Sequence, residues 1–208
     1  MMKNIAYMGI DIQFARLNAL DAKRGLVFLY EYDLPYTDLM AFDGVIISNH
    51  VDEAFLVEHN AVLTDYLAKG GVIFTLAEKG LPWLTEVANW KRSLIPLKDR
   101  EARIIATDHT LFEGVTSYDI EYRKGVRGFF SRGYFETVPA HAKKLVVDQQ
   151  DNVIVYVDRE STNGTIYAGA GTDMYRIYIH EDNSSSEVSL QILEAIHTEA
   201  ARNRGDNE

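Results

Sequence analysis

The chain has 208 residues, 47% of them hydrophobic, which suits a single compact core because single cores grow to roughly 250 residues before chains divide. Its net charge of −10 repels phosphate backbones and disfavours nucleic acid, while the absence of cysteine excludes disulfides, thiolate metal sites and cysteine nucleophiles together. No apolar run approaches the roughly 20 residues needed to span a bilayer, and the N-terminus lacks a signal-peptide layout, so a soluble cytoplasmic protein is expected.

Asn4-Ile5-Ala6-Tyr7-Met8 reads as the first strand, with Asp11 delivered to the carboxyl edge of a sheet. A helix over about residues 14–23 should end at Gly25, and Leu26-Val27-Phe28-Leu29-Tyr30 forms the second strand. Asp43-Gly44 then turns into Val45-Ile46-Ile47-Ser48, an apolar β-branched run typical of a strand buried on both faces. Ala54, Val57, Ala61, Leu63, Tyr66 and Leu67 follow at near-helical spacing, and Gly70-Gly71 stops that helix before Val72-Ile73-Phe74-Thr75-Leu76. Strand, helix, glycine pair and strand make one right-handed βαβ unit. Ser48-Asn49-His50 and Ala77-Glu78-Lys79-Gly80 fall at the carboxyl ends of its two strands, where parallel sheets collect ligands.

Leu81-Pro82-Trp83-Leu84 and Trp90 follow in an irregular aromatic segment, then a strand over residues 102–106. Short extended pieces recur at residues 120–122, 129–130, 145–147, 153–157 and 165–168, separated by turns such as Thr162-Asn163-Gly164. The C-terminal half therefore reads as a β-rich, partly antiparallel extension. Ser184-Ser185-Ser186-Glu187 caps a last helix carrying Val188, Ile192, Leu193 and Ile196. One domain over residues 1–200 and a frayed tail over 201–208 are expected.

Phe42-Asp43-Gly44-Val45-Ile46-Ile47, followed by Leu67-Ala68-Lys69-Gly70-Gly71-Val72-Ile73, resembles class I glutamine amidotransferase-like domains, above all their trehalose-utilisation (ThuA-like) branch. Asp108-His109-Thr110-Leu111-Phe112-Glu113-Gly114-Val115 resembles that branch's His-Pro-(Ile/Leu)-x-x-Gly-(Leu/Val) segment, with Thr110 in the proline position. The stretch from Gly164 to Asp173 resembles its late glycine-rich segment. The resemblance runs from Phe42 to Asp173 and implies a flavodoxin-like three-layer sandwich around a mainly parallel sheet. It does not carry the amidotransferase reaction. Those enzymes place a cysteine after the strand matched by Val72–Leu76 and add a late His and Glu. Here the two places read Ala77-Glu78-Lys79-Gly80 and Gly171-Thr172-Asp173-Met174.

No Gly-x-Ser-x-Gly elbow presents Ser48 or Ser131 as a nucleophile. His50, Asp52 and His59, or Asp108, His109 and Asp173, offer nitrogen and oxygen donors without a metal-binding spacing, and neither metal nor cofactor is expected. Between Tyr122 and Phe135, Gly125, Gly128 and Gly133 alternate with Arg127, Arg132 and aromatic residues. That strip suits close approach to an anion, or else a hairpin whose arginines pair with the abundant acids.

The sequence reading is a catalytically degenerate amidotransferase-like domain with a site at the carboxyl edge of its sheet. Asp11, Asn49, His50, Glu78, Arg127, Arg132 and Asp173 are its expected binding residues. The partner would be a small polar or anionic molecule, sugar-related molecules included, or a protein. One alternative is a hydrolase or isomerase of a carbohydrate-like substrate with Glu78 or His50 as acid/base. Another is a structural or regulatory subunit that assembles, as a homo-oligomer or with a protein partner, through exposed aromatics around Trp83 and Trp90.

Overall fold

Val45, Ile46 and Ile47 are inaccessible to water, and their strand β3 (Gly44–Ile47) is hydrogen-bonded along both edges. This is a computed structural model that describes residues 2–15 and 19–205. On one side β3 pairs in parallel with β1 (Ile5–Gly9), which in turn pairs with β2 (Leu26–Tyr30). On the other side it pairs in parallel with β4 (Val72–Thr75), and β4 pairs in parallel with β12 (Thr165–Gly169). The resulting order, β2-β1-β3-β4-β12, is that of a flavodoxin-like sheet. Branched and aromatic side chains fill these strands because both faces are covered by helices.

The crossover from β3 to β4 is made by α3 (Glu53–Glu58) and α4 (Asn60–Ala68). Tyr7, Ile46, Phe74 and Tyr167 form one row across four strands, and Phe74 and Tyr167 stack at 5.1 Å with an interplanar angle of 5°. Helices α6 (Met174–Ile177) and α7 (Val188–Arg204) lie over that row: Tyr167 donates to Glu199, and the hydroxyl of Tyr7 to Asp173.

Beyond β12 the sheet turns antiparallel through β11 (Val153–Asp158), β10 (Lys143–Val147) and β6 (Arg103–Ile104). A side branch adds β9 (Gly133–Phe135) against β11 and β5 (Trp90–Arg92) against β9. The reversal is built by Asp158, whose carboxylate accepts from the Glu160 and Ser161 amides at the β11–β12 turn. The α/β class and the β-rich C-terminal extension are thus as expected.

Local differences have local causes. The first helical region consists of α1 (Asp11–Phe14) and α2 (Ala19–Lys23); residues 16–18 of the expected helix lie outside the described residues. Ile120 belongs to α5 (Ser117–Glu121) rather than a strand, because the Thr116 side chain caps the Asp119 amide. A two-stranded hairpin of β7 (Tyr122–Arg123) and β8 (Val126–Arg127) follows. The frayed tail does not begin at 201. Helix α7 continues to Arg204 and is closed by Gly205 at φ 75°. Asn203 donates to the Gly70 carbonyl, and Arg204 to Asp43. Residues 206–208 lie outside the described residues. Among the described residues no helix is long and apolar enough to cross a membrane.

Asp43 ties the amino edge together. Its buried carboxylate accepts from the Lys3 amide at 2.9 Å, His197 Nδ1 at 2.8 Å and Arg204 Nη1 at 2.7 Å. These bonds hold its pKa below the usual carboxylate range, against the opposing effect of burial. Asp43→Ala is expected to cost about 3 kcal/mol in urea unfolding, since the Arg204 guanidinium and the His197 ring lose a buried partner. A loss within about 0.5 kcal/mol would show that the pairs contribute no more than surface ion pairs do.

Candidate functional site

Along the sheet, the chain leaves β1 for β2 on one side, and β3 lies on the other. Loops therefore diverge above the carboxyl ends of β1 and β3, opening a crevice at the position where parallel sheets bind ligands. The crevice is a cleft of about 450 Å³, within the usual range for small-molecule sites. Ile10 from the end of β1, Glu31 and Tyr32 after β2, Asn49 to Glu53 after β3, and Ala77 and Glu78 after β4 line it, with Arg132 at its side.

Each loop is fixed by hydrogen bonds that the sequence supplies locally. Buried Ser48 donates its hydroxyl to the His50 carbonyl at 3.0 Å, which commits it to shaping the turn. Asp52 caps α3 by accepting from the Phe55 amide at 3.1 Å, and also accepts from the Tyr32 hydroxyl at 3.0 Å. The Asp52 amide donates to Glu31 Oε2 at 2.9 Å, joining the β2 and β3 loops. Glu53 joins the β3 and β4 loops by accepting from the Gly80 and Leu81 amides at 2.9 and 2.6 Å. The walls are thus cross-linked by backbone-to-carboxylate bonds.

Glu78 and Arg132 form the open side, with Oε1 to Nε at 3.6 Å. Gly171, at φ 80°, lets them approach: a Cβ there would lie 2.6 Å from Glu78 Cγ. Asn49 Nδ2 lies 3.3 Å from His50 Nε2. Burial, helped by the Asp52 charge, raises the pKa of Glu31, whereas the Phe55 amide and Tyr32 hydroxyl lower that of Asp52.

The structure brings Asn49, His50, Glu78 and Arg132 together at this cleft. It leaves out three other expected residues. Asp11 opens α1 with an exposed side chain, one residue past the cleft wall at Ile10. Arg127 is occupied on the β7–β8 hairpin, with Nη2 at 2.8 Å from Glu121 and 3.4 Å from Glu101. The hairpin role accounts for it. Asp173 is buried against Tyr7 and caps α6 at the Arg176 amide. Trp83 is wholly buried and Trp90 half-buried, so they form no exposed aromatic surface for assembly. Among the described residues no group of three or more His, Asp or Glu side chains could hold a metal ion.

Glu31, Tyr32 and Glu53 were not singled out from the sequence, and Asp52 only as a metal donor. A signal existed: Glu31-Tyr32 lies just past a predicted strand, within two residues of its end, as Asn49 and Glu78 do.

No family model and no curated protein sequence matches the chain. Among solved structures, the fold is similar to the mmIFT52 N-terminal domain, with a TM-score of 0.54 and 11% identity over 94% of this chain and 97% of that one. It is also similar to the exo-β-1,4-mannosidase Op5Man5 from Opitutaceae bacterium strain TAV5, with a TM-score of 0.51 and 11% identity. That match covers 98% of this chain but spans only 36% of the mannosidase chain. At such identities the likeness establishes the α/β fold alone.

Burial pushes the Asp173 carboxyl up to about 6. In the unfolded chain it titrates near 3.9. The folded protein therefore holds this proton more tightly. The resulting stability is complete below the unfolded value and is lost as pH rises through about 6. Asp173→Asn keeps a capping side chain but removes the titration. Between about pH 4 and 6, wild type should lose about 2–3 kcal/mol relative to that variant in urea unfolding. A constant difference across the range would contradict this account.

Proposed function

We propose that the protein is a catalytically degenerate amidotransferase-like domain that binds a small polar molecule in the cleft at the carboxyl edge of its sheet. The observation that carries this reading is the cleft itself. It sits at the switch point of a parallel sheet, has room for a small molecule, and has walls braced by the carboxylates of Glu31, Asp52 and Glu53. Such bracing prepares a site before its ligand arrives and lowers the ordering cost of binding. Asn49, His50 and Arg132 offer donors, and Glu78 an acceptor, suited to the hydroxyls of a sugar-like compound. Tyr32 adds an exposed aromatic face.

Binding is favoured over turnover by what these side chains already do. The hydroxyl of Ser48 is spent on the turn, and Glu78 lies beside Arg132. The position after β4 holds no cysteine. Among the described residues, four carboxylates around the cleft against one arginine also narrow the ligand to neutral or cationic compounds.

Thermal unfolding in the presence of glucose, mannose and their amino derivatives tests the reading. A ligand at about 100 times its Kd adds about 2.7 kcal/mol of stability, or roughly 5–10 °C for a chain of this size. At least one member should produce such a shift, and Asn49→Ala should weaken that ligand about tenfold by removing a hydrogen bond. No shift with any member, or a shift unaffected by Asn49→Ala, would count against the cleft.

A further inference from the structure

We infer that the cleft selects a ligand carrying a protonated amine on a hydroxyl-bearing body, and that Glu31 is the residue that receives the amine. This inference rests on the small-molecule reading above and names its ligand class.

Glu31 is wholly inaccessible to solvent, yet it forms part of the cleft wall. One of its oxygens, Oε2, accepts from the Asp52 amide at 2.9 Å. The other, Oε1, is buried and has no hydrogen-bond partner among the described residues. The nearby Tyr32 hydroxyl has a single proton, which it donates to Asp52. Buried carboxylate oxygens are ordinarily satisfied, because leaving one without a donor costs free energy in every folded molecule. A ligand ammonium that displaces the side chains sealing Glu31 from water and reaches Oε1 removes that cost. Burial also raises the pKa of Glu31, so an arriving positive charge would stabilise its ionised form.

The surroundings decide which donor fits. Glu31, Asp52, Glu53 and Glu78 line the same cleft, and among the described residues Arg132 is its one lysine or arginine. The amides bonded to Glu31, Asp52 and Glu53 orient those carboxylates without cancelling their charge. Carboxylates concentrated in a concave, partly desolvated wall attract a cation and repel an anion. A primary ammonium brings three donors on a compact head, enough to reach Oε1 and keep further bonds. A neutral hydroxyl would satisfy Oε1 but leave the excess negative charge uncompensated.

Calorimetric titration at neutral pH with 6-amino-6-deoxyglucose, glucose and glucose 6-phosphate places a positive, a neutral and a negative group at one position. Wild type should bind the amino sugar at least about tenfold more tightly than glucose, and the phosphate least. Glu31→Gln should remove most of that preference, because the amide oxygen can still accept from the Asp52 amide while the charge that selects the ammonium is gone. If this variant does not fold, the Glu31 side-chain carboxyl carbon can be followed by NMR in wild type. It should shift on addition of the amino sugar but not of glucose. Equal binding of glucose and the amino sugar, or tighter binding of the phosphate, overturns the amine selection while sparing the cleft. A preference retained in Glu31→Gln, or an unmoved carboxyl resonance, overturns the role of Glu31. Binding of none of the three overturns this inference; a thermal shift with mannose that Asn49→Ala weakens would then preserve the cleft reading.

Discussion

The structure depends on a strand, Gly44–Ile47, that has no exposed edge and no exposed face. A strand so placed must be paired on both sides and roofed on both faces, or its amides and its apolar side chains would be left without partners. Parallel pairing in turn requires long crossovers, and the two helices between residues 53 and 68 supply one of them. From that requirement come the layers, and from the layers the divergence of loops at the carboxyl ends. The cleft is therefore a consequence of strand order rather than an addition to it. Its location is fixed before any loop side chain is chosen.

Side chains then determine what the location can hold. Three acidic residues brace the loops through backbone amides: Glu31 with Asp52, Asp52 with Phe55, and Glu53 with Gly80 and Leu81. Carboxylates suit this task because charge-assisted bonds from amides are stronger than neutral ones. The same choice leaves the cleft with a negative field, so rigidity and ligand preference come from one set of residues. The amino edge uses the same device at Asp43, where the bonds hold Lys3, His197 and Arg204 together and the effect is cohesion.

The legible parts of the sequence were those governed by short-range pattern. Val45–Ile47 and Val72–Leu76, with Gly70-Gly71 between them, declare a βαβ unit, and the residues just past those strands include Asn49, His50 and Glu78 of the cleft. Long-range partnerships were not legible. Asp173 meets Tyr7 across 166 positions, and nothing near Asp173 announces that it will be buried. Arg127 belongs to Glu121, six positions earlier, but only the hairpin geometry makes that pairing more favourable than a role in a pocket. Trp83 lies among turn residues and still fills the core, because packing there depends on strands elsewhere in the chain. Glu31 escaped notice since an acidic residue after a strand is ordinarily solvated. Its burial, with no partner for Oε1 among the described residues, is what marks it within the cleft.

The central claim is that the crevice between the ends of Ile5–Gly9 and Gly44–Ile47 is where a small molecule binds. Amide chemical-shift mapping during titration with 6-amino-6-deoxyglucose addresses it most directly. The account predicts saturable shifts concentrated at Ile10, Glu31 and residues 49–53, with the amino edge around Asp43 unmoved. Saturable shifts centred anywhere else, such as the Tyr122–Arg127 hairpin, would contradict it.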